Sequence, residues 1–61
     1  MQKIKVFVRT IKVLGGFKYE LIDQKNKFQG SDESVYKTEA KAFEQGKNHI
    51  KEFSDTYESL N

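Results

Sequence analysis

The chain has 61 residues, no cysteine, one histidine and a formal net charge of +2, with five phenylalanines and three tyrosines. This length predicts one small domain, and the absence of cysteine excludes disulfides and thiolate metal sites. Because basic residues interrupt the apolar residues at 1–14, we expect neither a signal peptide nor a membrane span. The expected location is the cytoplasm of a bacterium or a phage-infected cell.

Charge is unevenly distributed along the chain. Residues 1–30 hold seven lysines or arginines against two acids, whereas residues 31–61 hold four lysines against seven acids. Such an asymmetry is typical of a protein with a nucleic-acid face. It fits equally well with two halves that attract each other on folding.

Residues 3–22 alternate between apolar and charged side chains, a pattern that predicts two half-buried strands. The glycine pair at 15–16 predicts a tight hairpin turn between them, with Val13 opposite Lys18. Directly opposed residues share one side of a sheet. The predicted core face carries Ile4, Val6, Val8, Thr10, Leu14, Phe17, Tyr19 and Leu21.

The opposite face of this hairpin is basic and partly apolar. We predict it as the interaction face, formed by Lys3, Lys5, Phe7, Arg9, Ile11, Val13, Lys18 and Ile22. A second turn is expected at 23–27, because Asp23 and Asn26 can bond to their own backbone. Residues 28–36 then return as an irregular third strand, of which the end near 34–36 is the clearest part.

A helix is indicated from Thr38 onwards, with the Thr38 hydroxyl as its N-cap. Gly46 on its apolar stripe predicts a close approach to Tyr19 or Phe17 of the sheet. Residues 54–61 are expected to continue or restart the helix and to fray at the end. The residues expected to hold helix and sheet together are Phe17, Tyr19, Leu21, Ala40, Phe43, Gly46, Ile50 and Phe53, with Tyr57 and Leu60 extending the stripe.

These elements predict an α+β fold in which a small antiparallel three-stranded sheet, a hairpin plus a third strand, carries one C-terminal helix on one face. Residues 1–61 form a single β-β-β-α domain in this interpretation.

Catalytic chemistry is not indicated. His49 has no nucleophile or carboxylate pair at helical spacing, so we interpret it as a surface or boundary histidine. The acidic turn at Asp32 and Glu33 matches no calcium loop. We therefore predict no enzyme, no metal site, no cofactor and no small-molecule substrate.

Two functions remain for the interaction face. The first is self-association or binding of a protein partner, through that face or an open strand edge, because a small chain gains core by dimerising. The alternative is DNA binding, in which the lysines reach phosphates and Phe7 stacks on an unpaired base. Against the alternative, the chain has one arginine, the residue on which base recognition most depends. We therefore expect self-association or protein binding in preference to DNA binding.

Two resemblances accompany these hypotheses. Residues 17–53 resemble the YegP-like family of small bacterial domains, whose pattern is matched here by Phe17, Tyr19, Leu21, Asn26, Tyr36, Thr38, Ala40, Gly46 and Ile50. That resemblance implies a ββα-type fold, often duplicated or dimeric, with no established activity. Lys27 stands where the family has a turn glycine, and the first strand lies outside the pattern. The layout of strands before a "TEA" helix start also resembles the arm-type DNA-binding domain of tyrosine recombinases, which implies a sheet that contacts DNA.

Overall fold

The computed structural model describes residues 2–60, in which one helix covers one face of a four-stranded sheet. In chain order the elements are β1 (Ile4–Val13), β2 (Gly16–Asp23), β3 (Phe28–Gly30), α1 (Glu39–Glu52) and β4 (Tyr57–Ser59). The strand order in the sheet is β3-β2-β1-β4, with β4 parallel to β1 and the other neighbours antiparallel. Within the described residues, α1 is neither long nor apolar enough to cross a membrane.

The expected three-stranded antiparallel sheet is therefore wrong, because a fourth, parallel strand follows the helix. The chain turns after Phe53 and pairs with the start of β1, where the Ile4 amide donates to the Thr56 carbonyl and the Leu60 amide to the Val6 carbonyl. Three residues are too few to show a strand period in the sequence. Tyr57 and Leu60 also fall at helical spacing, so the sequence pattern indicates a continued or restarted helix here instead of a strand.

The hairpin turn lies one residue earlier than predicted. Leu14 and Gly15 form the loop, and Val13 pairs with Gly16. Gly16 is required inside the strand because a Cβ atom there would collide with the Tyr36 carbonyl oxygen. The register moves by two residues, so each side chain of β1 and β2 keeps its predicted face. Leu14 is the exception: it was expected in the core and is 100% exposed.

The third strand also differs from the prediction. It comprises residues 28–30, and its pairing with β2 is interrupted by an irregularity between Leu21 and Ile22. The segment at 34–36 contributes only an isolated bridge, in which Phe17 and Tyr36 exchange backbone hydrogen bonds of 2.7 and 2.6 Å. Local bonds, such as that from the Ser34 amide to the Asp32 carboxylate, keep the intervening residues out of the ladder.

The start of α1 is confirmed. Thr38 has an extended backbone and accepts a 3.1 Å hydrogen bond from the Lys41 amide, as an N-cap does. Glu39 lies in the first turn, where its negative charge interacts favourably with the helix dipole. Its carboxylate accepts a hydrogen bond from the Thr10 hydroxyl of β1. The cap therefore fixes both the first turn and its position on the sheet.

The helix contacts the sheet through Ala42, Gly46 and Ile50 and not through its phenylalanines. Ala40, expected on the buried stripe, is exposed, while Phe43 and Phe53 are 40% and 52% exposed. The helix lies closest to the sheet at Gly46, where a Cβ atom would collide with Val8. The buried core cluster consists of Val6, Val8, Tyr19, Leu21, Ala42 and Ile50, with Phe17, Tyr36 and Tyr57 packed against it.

Candidate functional site

The face of the sheet opposite α1, here called the open face, is covered by no other element of the described chain. Strand register determines its members, because opposed residues on neighbouring strands point to the same side. Glu58 pairs with Lys5, Phe7 with Ile22, Arg9 with Glu20 and Ile11 with Lys18. Val13 and Phe28 complete the open face, and exposed Lys3 lies just before β1.

An apolar row crosses the open face on three strands. Phe7 of β1 and Phe28 of β3 are the register neighbours of Ile22 on either side. Ile22 was expected to be an exposed interaction residue, but it is 1% exposed. Phe28 is 57% exposed and Phe7 is half-buried. The accessible part of this row is therefore aromatic, and Ile22 supports it from the middle.

Beside the apolar row, Arg9 and Glu20 form an ion pair. The Arg9 Nη2 and Glu20 Oε1 atoms are 2.6 Å apart, and the two residues are direct cross-strand partners. A pair of this kind offsets its own charges, so Arg9 adds less positive potential than its residue type suggests. Further along the hairpin, Ile11, Val13 and Lys18 are all half-buried.

A lysine-rich depression of about 800 Å³ lies at the end of the sheet where β1 begins and β2 ends. Four lysines line it against two carboxylates, those of Asp23 and Glu58. The lysines are Lys3, Lys5, Lys25 and Lys27. Lys5 belongs to both the depression and the open face, so the two surfaces are continuous.

Asp23 organises the turn that places the last two of these lysines. Its Oδ1 atom accepts hydrogen bonds of 2.8 Å from the amides of Lys25 and Lys27, and Oδ2 accepts one of 2.8 Å from Gln29. The Lys27 amide is the main cause that lowers the Asp23 pKa, with the Lys25 amide and the Gln29 side chain acting in the same direction. Asp23 therefore stabilises the turn through its carboxylate.

Sequence reasoning missed Lys25, Lys27 and Phe28 as members of this surface. The turn itself was predicted from Asp23 and Asn26, and Asn26 has the left-handed φ of 65° that such turns favour. The position of this turn in the sheet depends on the pairing of the three-residue strand β3 with β2. No local pattern in the sequence reveals that pairing. A signal existed only in the composition, since two lysines flank the turn and an aromatic residue follows it.

On the helix side, His49 is half-buried at the boundary of the core, one of the two positions expected for it, and belongs to an aromatic cluster. Its Nδ1 atom is 2.7 Å from the Tyr19 hydroxyl, with which it forms a hydrogen bond. The His49 ring also meets Tyr19, Phe53 and Tyr57 at centroid distances of 5.8, 5.1 and 6.0 Å. His49 therefore ties α1 to β2 and β4.

Two tyrosines near Asp32, Tyr19 and Tyr36, have a raised pKa. Burial is the first cause that raises the Tyr19 pKa, and the nearby charge of Asp32 is the second. The Tyr36 hydroxyl donates to the Asp32 carboxylate, and this bond is the main cause that raises the Tyr36 pKa. The Tyr19 and Tyr36 hydroxyls are thus held by polar partners, His49 and Asp32 respectively.

Comparison with known proteins yields no relative: no family model, no curated protein and no solved structure matches this chain. The resemblance to the YegP-like domains stays a prediction. The case for a function therefore depends on the open face and the lysine-rich depression.

Proposed function

We propose that this protein is a non-catalytic nucleic-acid-binding domain that uses the open face and the lysine-rich depression together. The observation that supports this most is the gathering of four lysines, from the start of β1 and from the β2–β3 turn, around one depression. Lysines that are far apart in sequence but close in space are typical of a surface that binds a phosphate backbone. Such a partner would be met in the cytoplasm, the compartment that the sequence predicts.

Charge also favours an anionic partner over a second copy of the chain. Lys3, Lys5, Arg9 and Lys18 outnumber Glu20 and Glu58 on or beside the open face, so two copies paired through this face would bring two net positive surfaces together. Like charges brought together at an interface oppose association. A polyanion instead gains from these lysines, which is why nucleic acid takes precedence over self-association here, in the reverse order to the sequence interpretation.

Addition of a partner strand at a sheet edge has little to support it. The outer strands β3 and β4 have three residues each. Short edge strands are one means by which proteins prevent edge-to-edge pairing. The broad open face offers more contact area than either edge.

Salt dependence tests the proposal. Fluorescence anisotropy with a labelled oligonucleotide would measure affinity at about 50 mM and about 200 mM salt. Four phosphate contacts predict a loss of affinity of about fiftyfold over this range for a single strand. Absence of binding at the lower salt concentration would refute the proposal.

Charge reversal locates the binding surface. Lys5→Glu with Lys25→Glu should abolish binding at the higher salt concentration, since both lysines line the depression. The matched control is Lys37→Glu with Lys41→Glu, which changes net charge equally at exposed positions beside the start of α1. Equal losses in the two variants would show that only net charge matters and would contradict a defined surface. Arg9 is left intact because its ion pair with Glu20 already offsets its charge.

Self-association is the second candidate, and one observation favours it. Phe28 is 57% exposed beside Phe7, so a small chain carries aromatic surface that a second copy or a protein partner could cover. Light scattering after gel filtration, without nucleic acid, tests it. A homodimer predicts a mass that doubles within the micromolar range, whereas a constant monomer mass would exclude the homodimer.

A further inference from the structure

We infer that the open face selects single-stranded over duplex nucleic acid, because Phe7 and Phe28 form a base-stacking platform beside the lysine-rich depression. This inference rests on the proposed nucleic-acid function and names the form of its ligand. It depends on the position of β3, which brings Phe28 into line with Phe7 across Ile22.

The platform has the composition that single-strand binding requires. Bases that are not paired can stack on aromatic side chains while the backbone runs along a positively charged surface. Phe7 and Phe28 lie two strand spacings apart, about 9.5 Å, on either side of Ile22. Lys5 lies two residues before Phe7 on the same face, and Lys27 immediately precedes Phe28. Aromatic rings and cations therefore alternate along one surface.

The support provided by Ile22 strengthens this assignment. Ile22 is 1% exposed although α1 lies on the other side of the sheet. Because no other element lies on this face, the side chains around Ile22 must cover it, and Phe7 and Phe28 are its register neighbours. The apolar row is therefore a packed surface.

A duplex presents its bases to this platform less readily than a single strand does. The four strands of the sheet span about 14 Å between the axes of β3 and β4. The major groove is about 12 Å wide and admits a helix or a two-stranded ribbon. The full width of the open face therefore fits the major groove poorly, and the bases of a duplex are also stacked on one another, while a single strand can place its bases on the rings.

A tryptophan probe tests stacking directly. The chain has no tryptophan, so Phe28→Trp introduces a single indole at the platform. Addition of a thymidine oligonucleotide should quench its emission, and an equal concentration of duplex should leave it unchanged. The control is Phe43→Trp, an exposed position on α1, where neither ligand should change the emission. Unchanged emission of Phe28→Trp at saturating single strand would overturn the inference.

Affinity gives an independent readout. Phe28→Leu keeps an apolar side chain but removes the ring, and it should weaken single-strand binding by at least about fivefold. Phe28→Tyr should retain the affinity. Duplex binding should be the same in both variants, and thermal unfolding should verify that each is folded.

The outcomes separate this inference from the proposed function. If single strand and duplex bind equally, with the salt dependence and charge-reversal effects expected, the proposed function stands and the single-strand preference is refuted. If neither ligand binds, both are refuted. A protein partner or a second copy at this face would be seen as association without nucleic acid and would also overturn the inference.

Discussion

The backbone of Gly46 lies directly against the side chain of Val8. A Cβ atom at Gly46 would stand 2.5 Å from Val8 Cγ1 and 3.2 Å from Tyr19 Cδ1. The close approach to Tyr19 was expected from the sequence, whereas the tighter contact with Val8 was not. This contact brings α1 close enough to the sheet for Ala42 to be buried.

Gly46→Ala should destabilise the protein, even though alanine favours a helix by about 1 kcal/mol over glycine. Val8 is buried and β-branched, so it has little freedom to move aside. Overpacking of a core costs about 1–3 kcal/mol. The helix preference of alanine offsets about 1 kcal/mol of this cost, so we expect a net loss of about 1 kcal/mol in urea unfolding.

Two further variants test the cause of that loss. Asn48→Ala, at an exposed position on the same helix, should be neutral or stabilising. Val8→Ala should cost less in the Gly46→Ala background than in the natural chain, since it removes the opposing methyl groups. Additive effects of the two substitutions would show that they do not interact.

Tyr57→Ala should destabilise the protein by about 2 kcal/mol, because Tyr57 packs against the core from β4 and contacts His49. Glu58→Ala, on the same strand but exposed, should have a small effect. A frayed helical tail would predict no difference between the two variants, so equal unfolding midpoints would contradict the existence of β4.

The pH dependence below about 4 should report on Asp23. Its pKa is lowered from 3.8 in the folded state, so the unfolded chain binds this proton more readily. The stabilisation that ionised Asp23 contributes is complete above about pH 4. It is lost as the pH falls through the lower pKa that Asp23 has in the folded protein. Asp23→Asn should reduce the melting temperature near neutral pH and flatten its acid dependence. The matched control is Asp55→Asn, an exposed aspartate after α1, which should melt as the natural protein does.

At high pH the stability should fall as phenols ionise. Burial and Asp32 raise the Tyr19 pKa above 10.0, and the bond to Asp32 raises that of Tyr36. The folded chain holds these protons more tightly, so stability is complete below about pH 10 and declines above it. Tyr19→Phe should remove the phenolate absorbance step that occurs at the highest pH and cost about 1 kcal/mol. If this absorbance step persists in Tyr19→Phe, it arises from another tyrosine.

The candidate site was only half visible in the sequence. The alternation in residues 3–22 indicated which side chains form the open face of the hairpin. This assignment held although the turn lies one residue earlier than predicted, because the register moved by two residues and each side chain kept its face. Lys25, Lys27 and Phe28 could not be assigned to it, because their position depends on three residues of β3 pairing with β2. Ile22 illustrates the opposite error: its place on the open face predicted exposure, and its neighbours bury it.

The β1–β2 hairpin, the faces of its side chains and the Thr38 cap of α1 follow from periodicity and capping, which are local properties of the chain. By contrast, the parallel strand β4, the rotation of α1 onto Ala42 and Gly46, and the role of His49 arise from tertiary contacts. Each of these depends on contacts between residues far apart in the chain. The tertiary arrangement also gathered the lysines of two separate segments into one surface, and that surface carries the proposed function.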